Sequence, residues 1–159
     1  MTLFAKLFMA QKADGSLLYL NEQPVGSSLL AQKFTNPSYF WPRPSAVDYN
    51  PLPSGGSNLG PTSEKLKNQV LERMKNFPQG SEIPPDLVYA SGSGLDPHIS
   101  LEAAFFQVDR ILKNRKSGKL DRNKLIHLIT ASIESSFFFG REYVNVLRLN
   151  LALDELAHE

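Results

Sequence analysis

The sequence contains no cysteine, and this absence excludes several kinds of functional site at once. Without a thiol the chain can form no disulfide bond and can offer neither a thiolate metal site nor a cysteine nucleophile. Histidine is scarce too, since only His98, His127 and His158 are present, and they are too scattered in the sequence for a zinc site. We therefore expect no metal site and no tightly bound cofactor.

Neither a basic block nor a long apolar run is present. The chain has 17 basic and 16 acidic residues, a net charge of +1, so its composition gives little support to nucleic-acid binding. No apolar run approaches the ~18 residues that a membrane span needs. The 159 residues, 42% hydrophobic and 21% charged, are enough for one soluble globular domain.

The most informative stretch that is present is a glycine loop, residues 54–62 (SGGSNLGPT). Because glycine has no side chain to bury, Gly55, Gly56 and Gly60 indicate a backbone that turns sharply or that another group approaches closely. Pro61 is a favoured first residue of a helix, where free backbone N–H groups attract an anion. The loop is therefore either a structural corner or a docking surface for an anionic or backbone partner.

A second glycine loop covers residues 91–98 (SGSGLDPH) and follows a predicted strand over 86–90. Asp96 is a good N-cap and Pro97 a good first residue, so a helix is predicted from there to about Lys116, ended by Gly118. Two glycine loops that lead into helices suggest a site that docks phosphate or backbone. In this interpretation, each loop contributes backbone N–H groups.

Known catalytic motifs do not fit either loop. No lysine follows Gly60, as a P-loop requires, and the dinucleotide fingerprint lacks its third glycine. Ser93 is flanked directly by glycines, unlike the serine of a nucleophile elbow. A triad of Ser93, Asp96 and His98 is spaced too tightly in the sequence for the usual geometry, so a hydrolase remains only a hypothesis for contrast.

Residues 34–49 combine aromatic side chains with proline, which rules out a central strand or a long helix. The segment is too aromatic for a disordered linker, so we predict an ordered surface loop with Phe40 and Trp41 as anchors. Arg43 lies between two prolines, and a charged side chain so oriented is expected to pair with a carboxylate or with loop carbonyls. Arg148, in a predicted strand, invites the same interpretation.

Periodicity predicts the remaining elements: a hairpin over 17–31, helices over 62–77 and from 121 to 140, a strand over 144–149 and a short helix over 151–156. The predicted core faces of the three main helices are Leu66, Val70, Leu71, Met74 and Phe77; Ala104, Phe105, Val108, Ile111 and Leu112; and Leu125, Leu128, Ile129 and Ile133. The order of elements predicts an α+β fold, with α/β as the alternative. We expect a single compact domain with a small sheet of about four strands.

Five segments occur in an order that resembles the KdpC family, the C subunit of the Kdp potassium-transporting P-type ATPase of bacteria. The segments are residues 39–46 (YFWPRPSA), 49–50 (YN), 54–62 (SGGSNLGPT), 90–100 (ASGSGLDPHIS) and 144–154 (VNVLRLNLALD). The resemblance covers residues 14–154. It implies an accessory subunit that is not an enzyme on its own and that works with a potassium-translocating subunit and an ATP-hydrolysing subunit.

Three further expectations come from the resemblance alone. The family is described as a catalytic chaperone that raises the ATP affinity of the hydrolysing subunit, which makes ATP a candidate ligand. A second view places the soluble domain on the outer face, over the channel-like subunit. Family members also carry one N-terminal transmembrane helix in the bacterial inner membrane. Residues 1–13, with Leu3, Phe4, Leu7 and Phe8 at helical spacing, are expected to be its membrane-proximal end, and residues 14–159 the soluble domain.

The residues expected to contact a partner or a nucleotide belong to the two loops, together with one arginine: Arg43, Ser54, Gly55, Gly56, Asn58, Gly60, Ser91, Gly92, Ser93, Gly94, Asp96 and His98. No catalytic or metal-binding residue is expected, and no nucleic-acid partner. The alternative function is a nucleotide- or phosphate-binding module. The placement of the loops separates the two: loops that face one cleft favour the nucleotide, and loops that form one flat face favour docking.

Overall fold

The structure is a computed structural model that describes residues 8–115, 120–135 and 140–158. The helices in these ranges are α1 (Ala10–Ala13), α2 (Glu64–Met74), α3 (Leu101–Phe106), α4 (Val108–Asn114), α5 (Arg122–Ala131) and α6 (Val146–His158). The strands are β1 (Leu17–Leu20), β2 (Gln23–Ser27), β3 (His98–Ser100), β4 (Ile133–Ser135) and β5 (Glu142–Asn145).

The strands form two small antiparallel sheets. Strands β1 and β2 make the predicted hairpin, although β2 ends at Ser27 rather than at Ala31. Strand β5 lies at the centre of the second sheet, between β3 and β4, so that Val144 is opposite both Ile99 and Ile133. Antiparallel strands packed with helices confirm the α+β fold. The described ranges contain five strands in two sheets, where one sheet of about four was predicted.

The core lies between the three-stranded sheet and helices α3 to α6. Its fully buried members are Phe40, Ile99, Ala103, Ala104, Val108, Ile111, Leu125, Ile129, Val144, Val146, Leu149 and Leu153. Helix α5 begins as the sequence predicts: Asp121 caps it by accepting a hydrogen bond from the Lys124 N–H at 2.8 Å. Leu125 and Ile129, one turn apart, then point into the core.

The predicted start of the second long helix at Pro97 is wrong. Residues after Pro97 continue as β3, and α3 begins only at Leu101, where the Ser100 hydroxyl accepts a hydrogen bond from the Ala103 N–H at 3.2 Å. Asp96 caps no helix; its carboxylate instead accepts from the His98 N–H at 3.1 Å, which closes a turn. The predicted strand over 86–90 is also wrong, because two prolines lead into a 3₁₀ turn, Pro85–Leu87.

Helix α2 differs from its prediction in both length and burial. It begins at Glu64, after the N-cap Ser63, and not at Pro61. None of its side chains is buried, and the exposed fractions of Leu71 and Met74 are 48% and 39%. The expected inward face therefore does not form a core contact. Only Phe77, which follows the helix, packs against the core.

Three further helix and strand boundaries differ from the predicted ones, because short strands and breaks interrupt the periodic pattern. The second long helix is divided at Gln107 into α3 and α4. The third helix ends at Ala131, so Ile133 belongs to β4. The last strand ends at Asn145 and the chain passes directly into α6, which places Arg148 on a helix. The predictions for Leu3, Phe4, Leu7, Lys116 and Gly118 lie outside the described residues.

The proline-rich segment is ordered, as predicted, and its backbone is held by two buried side-chain amides. Asn150 of α6 accepts a hydrogen bond from the Phe40 N–H at 2.8 Å and donates one to the Phe40 C=O at 3.0 Å. Gln107 does the same for Trp41, at 2.8 and 3.2 Å. These amides replace the neighbouring strand that an extended backbone normally pairs with. Phe40 is fully buried, which confirms the predicted anchor.

Within the part of the chain that the structure describes, no helix has the length and apolar character needed to span a bilayer.

Replacing Asn150 by alanine should destabilise the protein by about 2–4 kcal/mol, because the buried N–H and C=O groups of Phe40 lose their partner. Urea denaturation followed by circular dichroism measures this difference. Asn68→Ala is the matched control, since Asn68 lies exposed on α2, and its effect should stay within about 0.5 kcal/mol. Equal stabilities of the two variants would show that the amide does not hold the segment.

Candidate functional site

The two glycine loops are in direct contact with each other. The Gly55 N–H donates a hydrogen bond to the Ser93 C=O at 2.9 Å. A β-carbon added at Gly56 would lie 2.7 Å from the Gly92 carbonyl oxygen, so the two backbones meet with no side chain between them. The loops are thus one unit, which we call the glycine-loop pair (residues 54–60 and 91–95).

Two of the glycines have a structural explanation. Gly94 adopts φ +71°, in the left-handed region, and a β-carbon there would lie 2.7 Å from the Gly55 carbonyl oxygen and from a methyl carbon of Val47. At Gly56 the close approach of the Gly92 carbonyl oxygen leaves no room for a β-carbon. At both positions any side chain would collide with a neighbouring loop. The structural-corner interpretation therefore accounts for Gly56 and Gly94.

Three other glycines have no such explanation. No atom lies within 4 Å of the β-carbon position at Gly55, Gly60 or Gly92, and none of the three has φ in the left-handed region. Gly60 and Gly92 are exposed and Gly55 is half-buried. Ser54 and Asn58 lie exposed on the first loop. At these positions an approaching molecule can reach the backbone directly.

Backbone hydrogen bonds fix the second loop on both sides. The Ser91 N–H donates to the Pro44 C=O at 3.1 Å, and the Ala31 N–H donates to the Leu95 C=O at 2.9 Å. Ser91 itself is buried. The shape of the loop pair is therefore set before any partner arrives.

Arg43 was expected to pair with a carboxylate, and it pairs with two. The Arg43 guanidinium lies 3.3 Å from Asp96 and 3.7 Å from Asp86. Asp86 also accepts a hydrogen bond from the Ser100 N–H at 2.8 Å, where β3 passes into α3. Arg43 thus joins the aromatic segment to the second glycine loop and to the 3₁₀ turn.

His98 continues this network towards the sheet. Its Nδ1 lies 3.4 Å from Asp96 and its Nε2 lies 3.7 Å from Glu134, and the ring contacts Tyr143 edge-on with centroids 4.8 Å apart. Glu134 also pairs with Arg148 at 3.0 Å, which confirms a carboxylate partner for that arginine. The network therefore runs without a break from Asp86 through Arg43, Asp96, His98 and Glu134 to Arg148.

The carboxyl group of Asp96 is held in its charged form. Burial alone would raise its pKa, but the hydrogen bonds from His98 and the positive charge of Arg43 outweigh burial and lower the pKa below its usual value. Ser93 is not part of the network, because its hydroxyl accepts a hydrogen bond from the Leu95 N–H at 3.1 Å. The described residues contain no Ser93–His98 hydrogen bond, so a triad is not formed.

The sequence did not reveal several residues of this region. Asp86, Arg141, Glu142 and Tyr143 line a cavity of about 290 Å³ together with Arg43, Asp96 and His98. Tyr143 is opposite both Ser100 and Glu134 because β5 is the central strand. Such pairing joins segments that are distant in the chain, so a local pattern does not carry it. The described residues contain no cluster that could bind a metal ion.

The contact between the loops bears on what they can bind. A phosphate cradled by both loops needs space between their backbones, and the Gly55–Ser93 hydrogen bond and the Gly56–Gly92 approach fill that space. Helix α2 begins only at Glu64, and its first turn is capped by the Ser63 hydroxyl. The arrangement can therefore present backbone to a partner on its outer side, but the two loops do not enclose a ligand between them.

Comparison with known proteins gives one consistent result. Residues 1–155 match the family described as KdpC, K+-transporting ATPase, c chain. The potassium-transporting ATPase KdpC subunit of Yersinia pseudotuberculosis serotype O:1b (strain IP 31758) is 47% identical over 163 aligned residues, which cover 97% of this chain and 80% of the relative. The KdpC subunit of Leptospira interrogans serogroup Icterohaemorrhagiae serovar copenhageni (strain Fiocruz L1-130) is 43% identical, with 95% and 80% covered.

A third relative, from Caldanaerobacter subterraneus subsp. tengcongensis, carries the same name and is 44% identical over 163 aligned residues, with 98% of this chain and 83% of the relative covered. These matches extend over nearly the whole chain and include both glycine loops. They confirm the resemblance inferred from the sequence motifs. The chain belongs to the KdpC family, the c chain of the K+-transporting ATPase.

Proposed function

We propose that this chain is a non-catalytic accessory subunit of an ATP-driven potassium import complex and that it docks on its partner subunits through the glycine-loop pair. The observation that supports this proposal is the set of glycines at 55, 60 and 92, which no internal contact requires. A side chain at any of these positions would project into open space. Glycine at these positions is explained if the backbone of a partner approaches closely, because a side chain would block that approach.

A preformed surface favours such docking. Association costs free energy when loops must be ordered, and the glycine-loop pair is already fixed by its hydrogen bonds to Pro44 and Ala31. The network of Arg43, Asp96 and His98 lies at the end of the second loop and offers polar groups of both signs. The partners in this proposal are the potassium-translocating and ATP-hydrolysing subunits.

The proposed role within the complex is that of a catalytic chaperone, which raises the ATP affinity of the hydrolysing subunit while the subunits are in contact. The alternative is a cap over the channel-like subunit on the outer face of the inner membrane. The two roles conflict physically, because ATP is not supplied outside the cell. We propose the membrane location for the complex, with attachment through an N-terminal helix.

Gly55→Val should leave the fold intact and weaken assembly, because the valine side chain enters open space on the proposed contact face. The thermal midpoint should change by less than about 2 °C, while recovery of the two partner subunits by affinity purification from cells that express the complex should fall several-fold. Gln79→Val, at an exposed position outside both loops, is the control and should assemble normally.

Gly56→Val should give the opposite pattern, since its β-carbon collides with the Gly92 carbonyl oxygen. Overpacking of this kind costs about 1–3 kcal/mol and should lower the thermal midpoint by roughly 2–10 °C. If Gly55→Val assembles as well as Gln79→Val, the docking surface lies elsewhere.

The purified chain should hydrolyse no ATP and should bind it with a dissociation constant of about 0.1 mM or weaker. Backbone N–H groups alone would hold the phosphates, each hydrogen bond contributes about 1 kcal/mol, and the cost of association offsets most of that gain. Isothermal titration calorimetry measures the affinity. A low-micromolar constant for the pure chain would favour the nucleotide-binding module over the accessory subunit.

A further inference from the structure

A large groove lies away from the glycine-loop pair. It has a volume of about 630 Å³ and lies between the segment after α2 and helices α3 and α4. Its walls include Asn76, Phe77 and Ser81 on one side and Phe105, Phe106, Arg110 and Lys113 on the other. This volume is in the range of roughly 300–1,000 Å³ that is usual for small-molecule sites.

One wall of the groove is aromatic. The ring of Phe77 contacts Trp41 and Phe106 edge-on, with centroids 5.8 and 5.7 Å apart. Phe77, Phe105 and Phe106 are only half-buried, so part of each ring remains open to a ligand. A flat apolar group can lie against these rings in the offset or edge-to-face arrangements that aromatic pairs favour.

Arg110 supplies a positive charge that no carboxylate in the described part of the chain neutralises. Its guanidinium donates to the carbonyl oxygens of Pro37 and Tyr39, at 2.6 and 3.0 Å, and to the amide oxygen of Gln107, all of which are neutral acceptors. It lies 3.7 Å from the centroid of the Trp41 ring. Its Nε is buried and makes no hydrogen bond.

Burial lowers the pKa of Arg110 to about 10, so the side chain still carries its charge at neutral pH. A partly buried charge without a counter-charge is costly, and a nearby anion reduces that cost. One turn further along α4, Lys113 is exposed and, within the described ranges, has neither an ion pair nor a hydrogen bond. The remaining charges, Asp109 and Arg122, pair with each other.

We propose that this groove binds a small aromatic anion, whose ring lies against Phe77 and Phe106 and whose negative group lies beside Lys113 and Arg110. The aromatic wall selects for a flat apolar body, and the two uncompensated cations select for one negative charge. A cation is excluded by the sign of the local field. This site is separate from the proposed docking surface and does not depend on the proposed function.

The test uses 2-naphthoate as the probe and the single tryptophan, Trp41, as the reporter. The Trp41 indole N–H gives one side-chain signal in a ¹H–¹⁵N NMR spectrum, and this ring contacts the groove residue Phe77. Titration with 2-naphthoate should shift the signal with a dissociation constant of about 1 mM, as expected for a ligand of this size. The neutral analogue 2-naphthalenemethanol and the ring-free anion acetate should each bind at least about tenfold more weakly.

Variants that change the charge of the exposed Lys113 form the second part of the test. Lys113→Gln should weaken naphthoate binding about threefold and Lys113→Glu about tenfold, whereas Lys67→Glu, on the exposed surface of α2, should have no effect. Circular dichroism verifies that all three variants are folded. The proposal is overturned if naphthoate does not shift the Trp41 signal, if the neutral analogue binds equally well, or if the Lys113 and Lys67 variants bind alike.

Discussion

Two buried amides, those of Asn150 and Gln107, hold the aromatic segment against the helical core, and the rest of the structure depends on this contact. An extended backbone without a neighbouring strand needs other partners for its polar groups, and these side chains supply them. Because Phe40 and Trp41 are fixed, Arg43 and the Pro44 carbonyl are fixed a few residues later. Arg43 in turn holds Asp96, near the end of the second glycine loop, and the Pro44 carbonyl holds Ser91, at its start.

Arg43 lies in this segment and Arg110 bonds to it from α4, and the two partly buried arginines are in opposite electrostatic situations. Arg43 faces Asp86 and Asp96, so its charge is balanced within the molecule and serves to join three segments. Arg110 bonds only to neutral oxygens and to the face of Trp41, so its charge has no carboxylate partner in the ranges described. Balanced charges of this kind hold structure together, whereas an unbalanced one leaves attraction available to an external anion.

Local signals in the sequence predicted local features well. The Asp121 cap, the buried faces of the later helices and the β1–β2 hairpin are confirmed, since each depends on residues that are close in the sequence. The helix start predicted at Pro97 failed because of pairing with a distant strand. Asp96 and Pro97 have the composition of a helix start, but β5 offers a strand edge that the preceding residues cannot reveal, and tertiary pairing outweighs the local preference. Both glycine loops were recognised in the sequence, but their contact could not be predicted, because it joins residues that are distant in the chain.

The lack of buried side chains on α2 affects how easily this helix unfolds locally. This helix buries no side chain, and its firm attachments are the Phe77 ring at its end and a hydrogen bond from Arg73 to the Val88 carbonyl at 2.7 Å. Segments with few buried apolar contacts unfold locally at a small fraction of the global free energy. We therefore expect helix α2 to unfold as a separate unit of low stability, with amide hydrogens that exchange with solvent well before those of α5 or α6. Because Asn76 and Phe77 form one wall of the aromatic groove, unfolding of this unit should also open the groove.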